Sequence, residues 1–150
     1  AGAYSEYVSI PEENLIPIPG SFDIVKASLA EPAACSLHSV TMAQLHSPRP
    51  LAELRTLVIG GGGIGMLSAL LLSHYGCRNV TVAETNKLRR DTVAQAVNCA
   101  VHDPLSDPEI PEDSLDLVID AVGGGVTRSM GSRAVAPGGI FVHIGLMDAK

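Results

Sequence analysis

The sequence is poor in basic charge and has no Lys/Arg run longer than Arg89-Arg90. Its 10 Lys and Arg stand against 16 Asp and Glu, for a formal net charge of -6 and a pI near 5.2. Nucleic acid and anionic membranes are held by concentrated positive patches; no such footprint is written here, so neither is expected as a partner. Cysteine is scarce too. Cys35, Cys77 and Cys99 are odd in number and widely spaced, with no C-x-x-C pair, which excludes a disulfide framework and a self-contained zinc knuckle and leaves reduced, core-packed thiols. No apolar run reaches spanning length, the longest being interrupted at Gly76, and no signal or transit peptide is legible. There is no internal repeat. The expectation is a soluble, cytoplasmic protein whose partner is a small molecule.

What is present is a sequence of 150 residues with 46% hydrophobic content, enough for one ordinary domain with a real core. From Ala3 to Ile18 it reads as strand, turn and strand end, since Pro17 and Pro19 forbid a helix there. Val25, Leu29, Ala33, Leu37, Val40 and Met42 suit one helical face between Phe22 and Leu45, with Pro32 at a helix start or a kink. The segment HSPRP then sets a boundary between residues 1–46, an arm with its linking helix, and the main domain at 51–150.

After that boundary, strand-length and helix-length segments alternate. Strands are expected at Arg55–Ile59, Asn79–Glu84, Ala100–His102, LDLVIDAV and GGIFVHIGL, and helices at Ile64–Tyr75, Lys87–Val97 and near Val126–Val135. Such alternation predicts an α/β fold with a doubly wound parallel sheet, and runs such as LVI and LVID suit central strands covered on both faces. The Pro-rich acidic stretch DPLSDPEIPEDS predicts an irregular surface crossover in place of a helix.

One stretch carries chemistry. In TLVIGGGGIGML the pattern G-x-G-x-x-G falls on Gly60, Gly62 and Gly65, directly after a strand and opening a helix. Gly60 permits the tight turn, Gly62 and its neighbour Gly63 let backbone N–H groups approach a pyrophosphate, and Gly65 lets the helix lie close on the sheet. The helix N-terminus adds its unpaired N–H groups and positive dipole end. Glu84 follows 24 residues after Gly60, near the offset at which an acid accepts hydrogen bonds from the adenosine ribose. The plainer alternatives are a ligand-free glycine turn and a solvated strand-end acid. An S-adenosylmethionine-binding domain would share the sheet, the glycine loop and the acid, although its ligand has no pyrophosphate.

With these residues placed, the chain resembles the cofactor-binding region of the medium-chain dehydrogenase/reductase superfamily, in its zinc-dependent alcohol and polyol (sorbitol-like) dehydrogenase branch. The carriers are AYSEYVSIPEENLIPIP, SLAEPAACSLHSV, TLVIGGGGIGML, VTVAETNKLRR, LVIDAVGGG and GGIFVHIGL, in this order across essentially all of the chain. The resemblance implies a Rossmann-like domain with an arm from a GroES-like catalytic domain, an NAD cofactor, a catalytic zinc, an alcohol or polyol substrate and a homo-oligomer. It implies also that other zinc ligands lie upstream and a sixth strand downstream, so that the chain, beginning at Ala1 rather than Met, is a fragment inactive by itself.

The same resemblance assigns residues. Glu31 of SLAEPAACSLHSV is the one that stands near or on the metal; a helix N-terminal acid beside Pro32 is the alternative. Ile64 packs behind the nicotinamide and Arg89 lies near the adenosine, or is solvated. Ala121, Val122 and Gly123, with Ile144, Gly145 and Leu146, line the cleft at the strand ends, with plain core packing as their alternative. Cys35 is a small packing residue facing that cleft, and His38 receives no catalytic role. No catalytic side chain is assigned within the chain. Two rivals stay open: a zinc-free NADPH-dependent quinone or enoyl reductase, and a binding module without chemistry.

Overall fold

The structure is a computed structural model that describes residues 5–146. The chain divides into two units, Ala1–Ala30 and Glu31–Lys150. The described part of the first holds a 3-10 turn at Glu12–Asn14 and a short helix α1, Ile24–Ala27, whose start is capped by the Asp23 carboxylate accepting the Val25 N–H. The strand expected in the AYSEYVSI segment does not form among the described residues. A strand exists by pairing, and no neighbouring strand is offered within this unit, so Tyr7 and Ile16 lie in the open at 90% exposure. The helical stretch expected from Phe22 to Leu45 is α1 followed by α2, Ala30–His46, with Pro32 in the first turn of α2, the helix-start alternative, where its missing N–H costs nothing.

The second unit is built on five parallel strands: β1, Thr56–Ile59; β2, Val80–Ala83; β3, Ala100–His102; β4, Leu115–Asp120; and β5, Val135–His143. Their order in the sheet is β3-β2-β1-β4-β5. All pairings are parallel, with Val58 beside Val82 on one side and Ile119 on the other. The doubly wound α/β expectation is met. Between the strands run α3, Gly63–His74, α4, Lys87–Ala96, and α5, Gly125–Ala134.

Alternate residues along each central strand enter two separate cores. Val58, Val80, Val82, Leu117 and Ile119 point to one face, where they pack with Val40 and Ala43 of α2, Ala69 and Leu72 of α3, and Val93 of α4. Leu57, Ile59, Ala83 and Val118 point to the other, under Met130 of α5 and Ile110 of the acidic crossover. Residues 103–114 form turns and no helix, as their prolines predicted, and Ile110 supplies the apolar cover a helix would have given. β5 is the least regular strand, its register against β4 shifting between Leu115 and Leu117 where Pro137 and Gly138 intervene.

Opposite the strand ends that carry the glycine loop, Asp116 pins the sheet. It receives the backbone N–H of Arg55 and both Nε and an NH2 group of the same guanidinium, with Arg49 at 2.7 Å. The Arg55 hydrogen bond, against the pull of burial, holds the Asp116 carboxyl far below the usual carboxylate range. No described helix is long and apolar enough to cross a membrane.

Candidate functional site

Every βα turn at the carboxyl ends of β1, β2 and β4 opens on one cleft, of about 300 Å³, lined by Gly60, Glu84, Arg89, Val122, Thr127 and the crossover residues Pro104 and Leu105, among others. In a doubly wound sheet this edge, at the switch between β1 and β4, is where ligands bind.

The three fingerprint glycines do different things. Gly60 leaves β1 at φ +98, and a Cβ there would also stand 2.7 Å from Val122 Cγ2. Only glycine suits both demands. Gly65 lies against the carbonyl of Gly60, where any side chain would overlap that carbonyl, so it sets how closely α3 approaches β1. Gly62 is the N-cap of α3, with an ordinary φ of -73. No side chain caps the helix, and a Cβ on Gly62 or Gly63 would meet nothing within 4 Å. An uncapped helix N-terminus at the mouth of a cleft, bare of side chains, is an anion cradle.

Glu84 is 93% buried, and it is not a free arm. Its Oε2 accepts the Gly61 N–H at 2.8 Å and its Oε1 accepts the Asn86 N–H at 2.8 Å, with the Thr85 hydroxyl at 3.4 Å. Burial pushes its pKa up; the Asn86 and Gly61 amides, then the Arg89 charge 3.8 Å away and the Thr85 hydroxyl, outweigh that, so the carboxyl titrates below its ordinary value. Glu84 is therefore an ionised acceptor with lone pairs left for a ribose hydroxyl. It is also a brace for the glycine loop, which the sequence offset did not reveal.

The two arginines separate. Arg89 is 62% exposed and lines the cleft. Arg90 is committed elsewhere, donating to the carbonyls of Glu84 and Thr85 and pairing with Asp103 at 2.7 Å, so it tethers the β2 turn to the crossover.

The remaining assigned residues are not brought to one place. Val122 lines the cleft and Gly145 backs directly on it, with room for no Cβ. Ile144 and Leu146 instead line a second groove of about 750 Å³ between α2 and β5, with Cys35, His38, Ser39 and Met42. Ile64 is half-buried, and its carbonyl is held by the hydroxyls of Ser36 and Ser68, which joins α2 to the start of α3.

Glu31 is exposed in the first turn of α2, and the Cys35 thiol donates to its Oε1 at 3.3 Å. That hydrogen bond, with burial and the carboxylate's charge, raises the Cys35 pKa, so the pair is a thiol on a carboxylate, not a thiolate. Zinc takes four ligands as a rule, or three with a water. Among the described residues no group of three His, Cys, Asp or Glu side chains could hold a metal, so these two donors do not make a zinc site alone.

Asp120, a residue the sequence reading passed over, sits fully buried at the end of β4 and anchors the turn that follows. The signal was an acid closing an unbroken apolar run, LVID, of the same kind that drew attention to Glu84 in VTVAE.

Comparison with known proteins agrees with this fold. A family model described as an FAD binding domain matches residues 53–107, which span β1 to β3. Flavin and nicotinamide dinucleotides share an adenosine half. L-galactonate-5-dehydrogenase of Escherichia coli (strain K12) is 32% identical over 99% of the chain, and the chain spans 44% of that protein's length. Among solved structures, a protein assigned as a zinc-binding dehydrogenase from Sinorhizobium meliloti, bound to NADP, superposes with a TM-score of 0.83 at 26% identity, over 95% of this chain and 43% of that one. Acetophenone reductase from Geotrichum candidum, in complex with NAD, gives 0.74 at 21% identity over 89% of this chain and 38% of that one. These relatives are dehydrogenases and reductases by name.

Proposed function

We propose that the chain is the dinucleotide-binding part of a zinc-dependent medium-chain dehydrogenase that moves a hydride between an alcohol or polyol and NAD, in the cytoplasm and as a homo-oligomer. The observation that carries the cofactor reading is the uncapped N-terminus of α3, with Gly62 and Gly63 bare in front of it, beside the buried carboxylate of Glu84. The N–H groups of the α3 first turn take the pyrophosphate, and the free lone pairs of Glu84 accept from the adenosine ribose. The chain's task in the reaction is to bind and orient the cofactor along the strand ends. A zinc ion, held by ligands outside this set together with Glu31, would supply Lewis acidity to the substrate oxygen.

Cofactor choice follows from Glu84. A 2′-hydroxyl can donate to its carboxylate; a 2′-phosphate cannot, and two like charges at about 4 Å repel by roughly 4 kcal/mol at an effective dielectric near 20. Arg89 is the cation placed to relieve that repulsion, and the relative bound to NADP supports NADP as the second reading. A thermal-shift comparison of NAD, NADP, FAD and S-adenosylmethionine tests both, since a ligand that binds only the folded state raises the melting temperature. The largest shift is expected with NAD. A shift with S-adenosylmethionine alone, or with FAD alone, sinks the reading.

A further inference from the structure

Arg90 stands near the start of α4, where a helix dipole favours anions, and the first turn of that helix carries no acid. Helix stability does not explain a cation there. Its side chain is only 17% exposed and is spent on two other elements: Nη1 donates to the carbonyls of Glu84 at 2.8 Å and Thr85 at 2.7 Å, and Nη2 pairs at 2.7 Å with Oδ2 of Asp103, itself 17% exposed. Lys87, three residues earlier, stays within the helix and pairs with Asp91.

The partners of Arg90 belong to two segments that wall the cleft. Glu84 and Thr85 make the turn after β2 and line the cleft directly; Asp103 opens the crossover, whose Pro104 and Leu105 line it as well. Asp103 also gathers the start of the crossover, since its Oδ1 accepts the Leu105 N–H at 3.0 Å and its own N–H donates to the Asp107 carboxylate at 2.7 Å. Past the strand bond from the Glu84 N–H to the His102 carbonyl, no other hydrogen bond among the described residues joins the two segments. Arg90 itself does not line the cleft, so it acts through them. We infer that Arg90 is a positioning residue for the adenosine half of the cofactor, setting the acid that meets the ribose against the crossover wall before the nucleotide arrives. The inference rests on the dinucleotide reading above. Without the guanidinium, two carbonyls and a carboxylate lose their donor, and the crossover has to be ordered at the moment of binding, which is subtracted from affinity.

Arg90→Met keeps a long apolar stem and removes the fork. Calorimetry with NAD, AMP and inorganic pyrophosphate locates the effect, because AMP carries the adenosine and pyrophosphate meets only the N-terminus of α3. Arg90→Met is expected to bind NAD and AMP each about tenfold more weakly, and pyrophosphate within about twofold of the parent. Asp103→Ala is expected to give the same pattern, and the double variant to fall no more than about twofold below the weaker single one, since both changes remove one clamp. A residue that only stabilised the fold would lower the melting temperature and leave the dissociation constants of the folded protein unchanged. That outcome, a pyrophosphate loss as large as the NAD loss, a loss for NAD without one for AMP, or two losses that multiply in the double variant, overturns the inference. If Arg90→Met does not fold, Arg90→Lys keeps the charge but offers a single head in place of the fork, and a loss of about threefold shared by NAD and AMP is expected; no loss, or loss of only one ligand, again overturns it. A parent chain that binds neither NAD nor AMP refutes the dinucleotide reading and this inference with it.

Discussion

Glu84 and Gly61 are joined by a hydrogen bond of 2.8 Å from the glycine N–H to Oε2, so the acid that closes β2 holds the loop that leaves β1. Under the proposed function, reading the ribose and shaping the pyrophosphate loop share one carboxylate.

Replacing Glu84 by Ala therefore removes more than discrimination. The parent is expected to prefer NAD over NADP by at least about tenfold, from the charge repulsion reduced by Arg89. In the variant the preference collapses, and NAD affinity itself falls by about tenfold because the Gly61 amide is released. Dissociation constants for both cofactors on both proteins are the check. Equal affinities in the parent would remove the ribose role, and unchanged NAD affinity in the variant would remove the bracing role.

The glycines divide into folding and binding positions. Gly62→Asp puts a side chain where nothing stands within 4 Å, so the circular dichroism spectrum and melting temperature stay near those of the parent while nucleotide binding is lost to charge and bulk. Gly65→Ala meets the Gly60 carbonyl, and is expected to cost roughly 1–3 kcal/mol by overpacking, about 2–4 °C in melting temperature for each kcal/mol in a chain of this size. A folded Gly62→Asp variant that still binds NAD normally would defeat the cradle assignment.

Glu31 controls Cys35 whatever else it does. Because the thiol donates to the carboxylate, Glu31→Gln lowers the Cys35 pKa and speeds its alkylation by iodoacetamide near neutral pH. Cys77 is buried and serves as the slow internal reference. An unchanged rate at Cys35 would mean that the pair is not formed in solution.

Acid should unfold the domain from its carboxylates. Glu84 and Asp116 both titrate below their unfolded values, so the unfolded chain binds more protons and stability rises with pH in that window. The stabilisation is complete above the ordinary carboxylate range, near pH ~4, and is lost as the pH falls below it. Melting temperatures from pH 7 down to pH 3 are expected to fall along a limb that Asp116→Asn and Glu84→Gln each flatten, while lowering the value at neutral pH. A limb identical to the parent's in both variants would contradict this.

The sheet was legible because buried parallel strands leave little freedom: LVI, VTVA and LVID have one way to be covered on both faces, and the glycine loop announces the first turn. Glu84 was found by its offset, but its bond to Gly61 was not, since no spacing rule says where a backbone amide points once the loop has closed. Only the resemblance singled out Arg89 over Arg90, and a rotation of one residue around α4 sends one into the cleft and the other onto Asp103. The arm misled because alternation signals the capacity to pair and says nothing of a partner. Ile144 and Leu146, two residues apart after β5, line the α2–β5 groove while Gly145 between them backs on Val122, an alternation that sequence proximity alone does not reveal.

The crossover of residues 103–114 has a consequence for how a ligand enters and leaves. The backbone of its first half is tied to itself, Leu105 and Asp107 to Asp103, with Pro104 and Leu105 forming a wall of the cleft, while at its far end Asp113 and Ser114 donate to the Arg133 and Ala134 carbonyls. A segment whose bonds close on short loops opens without disturbing the sheet. The floor of the cleft is thus rigid and this side wall is the yielding one, a door hinged on the Arg90–Asp103 pair. Nucleotide should slow both hydrogen exchange and proteolytic cutting there, and leave β1 and β4 as they were.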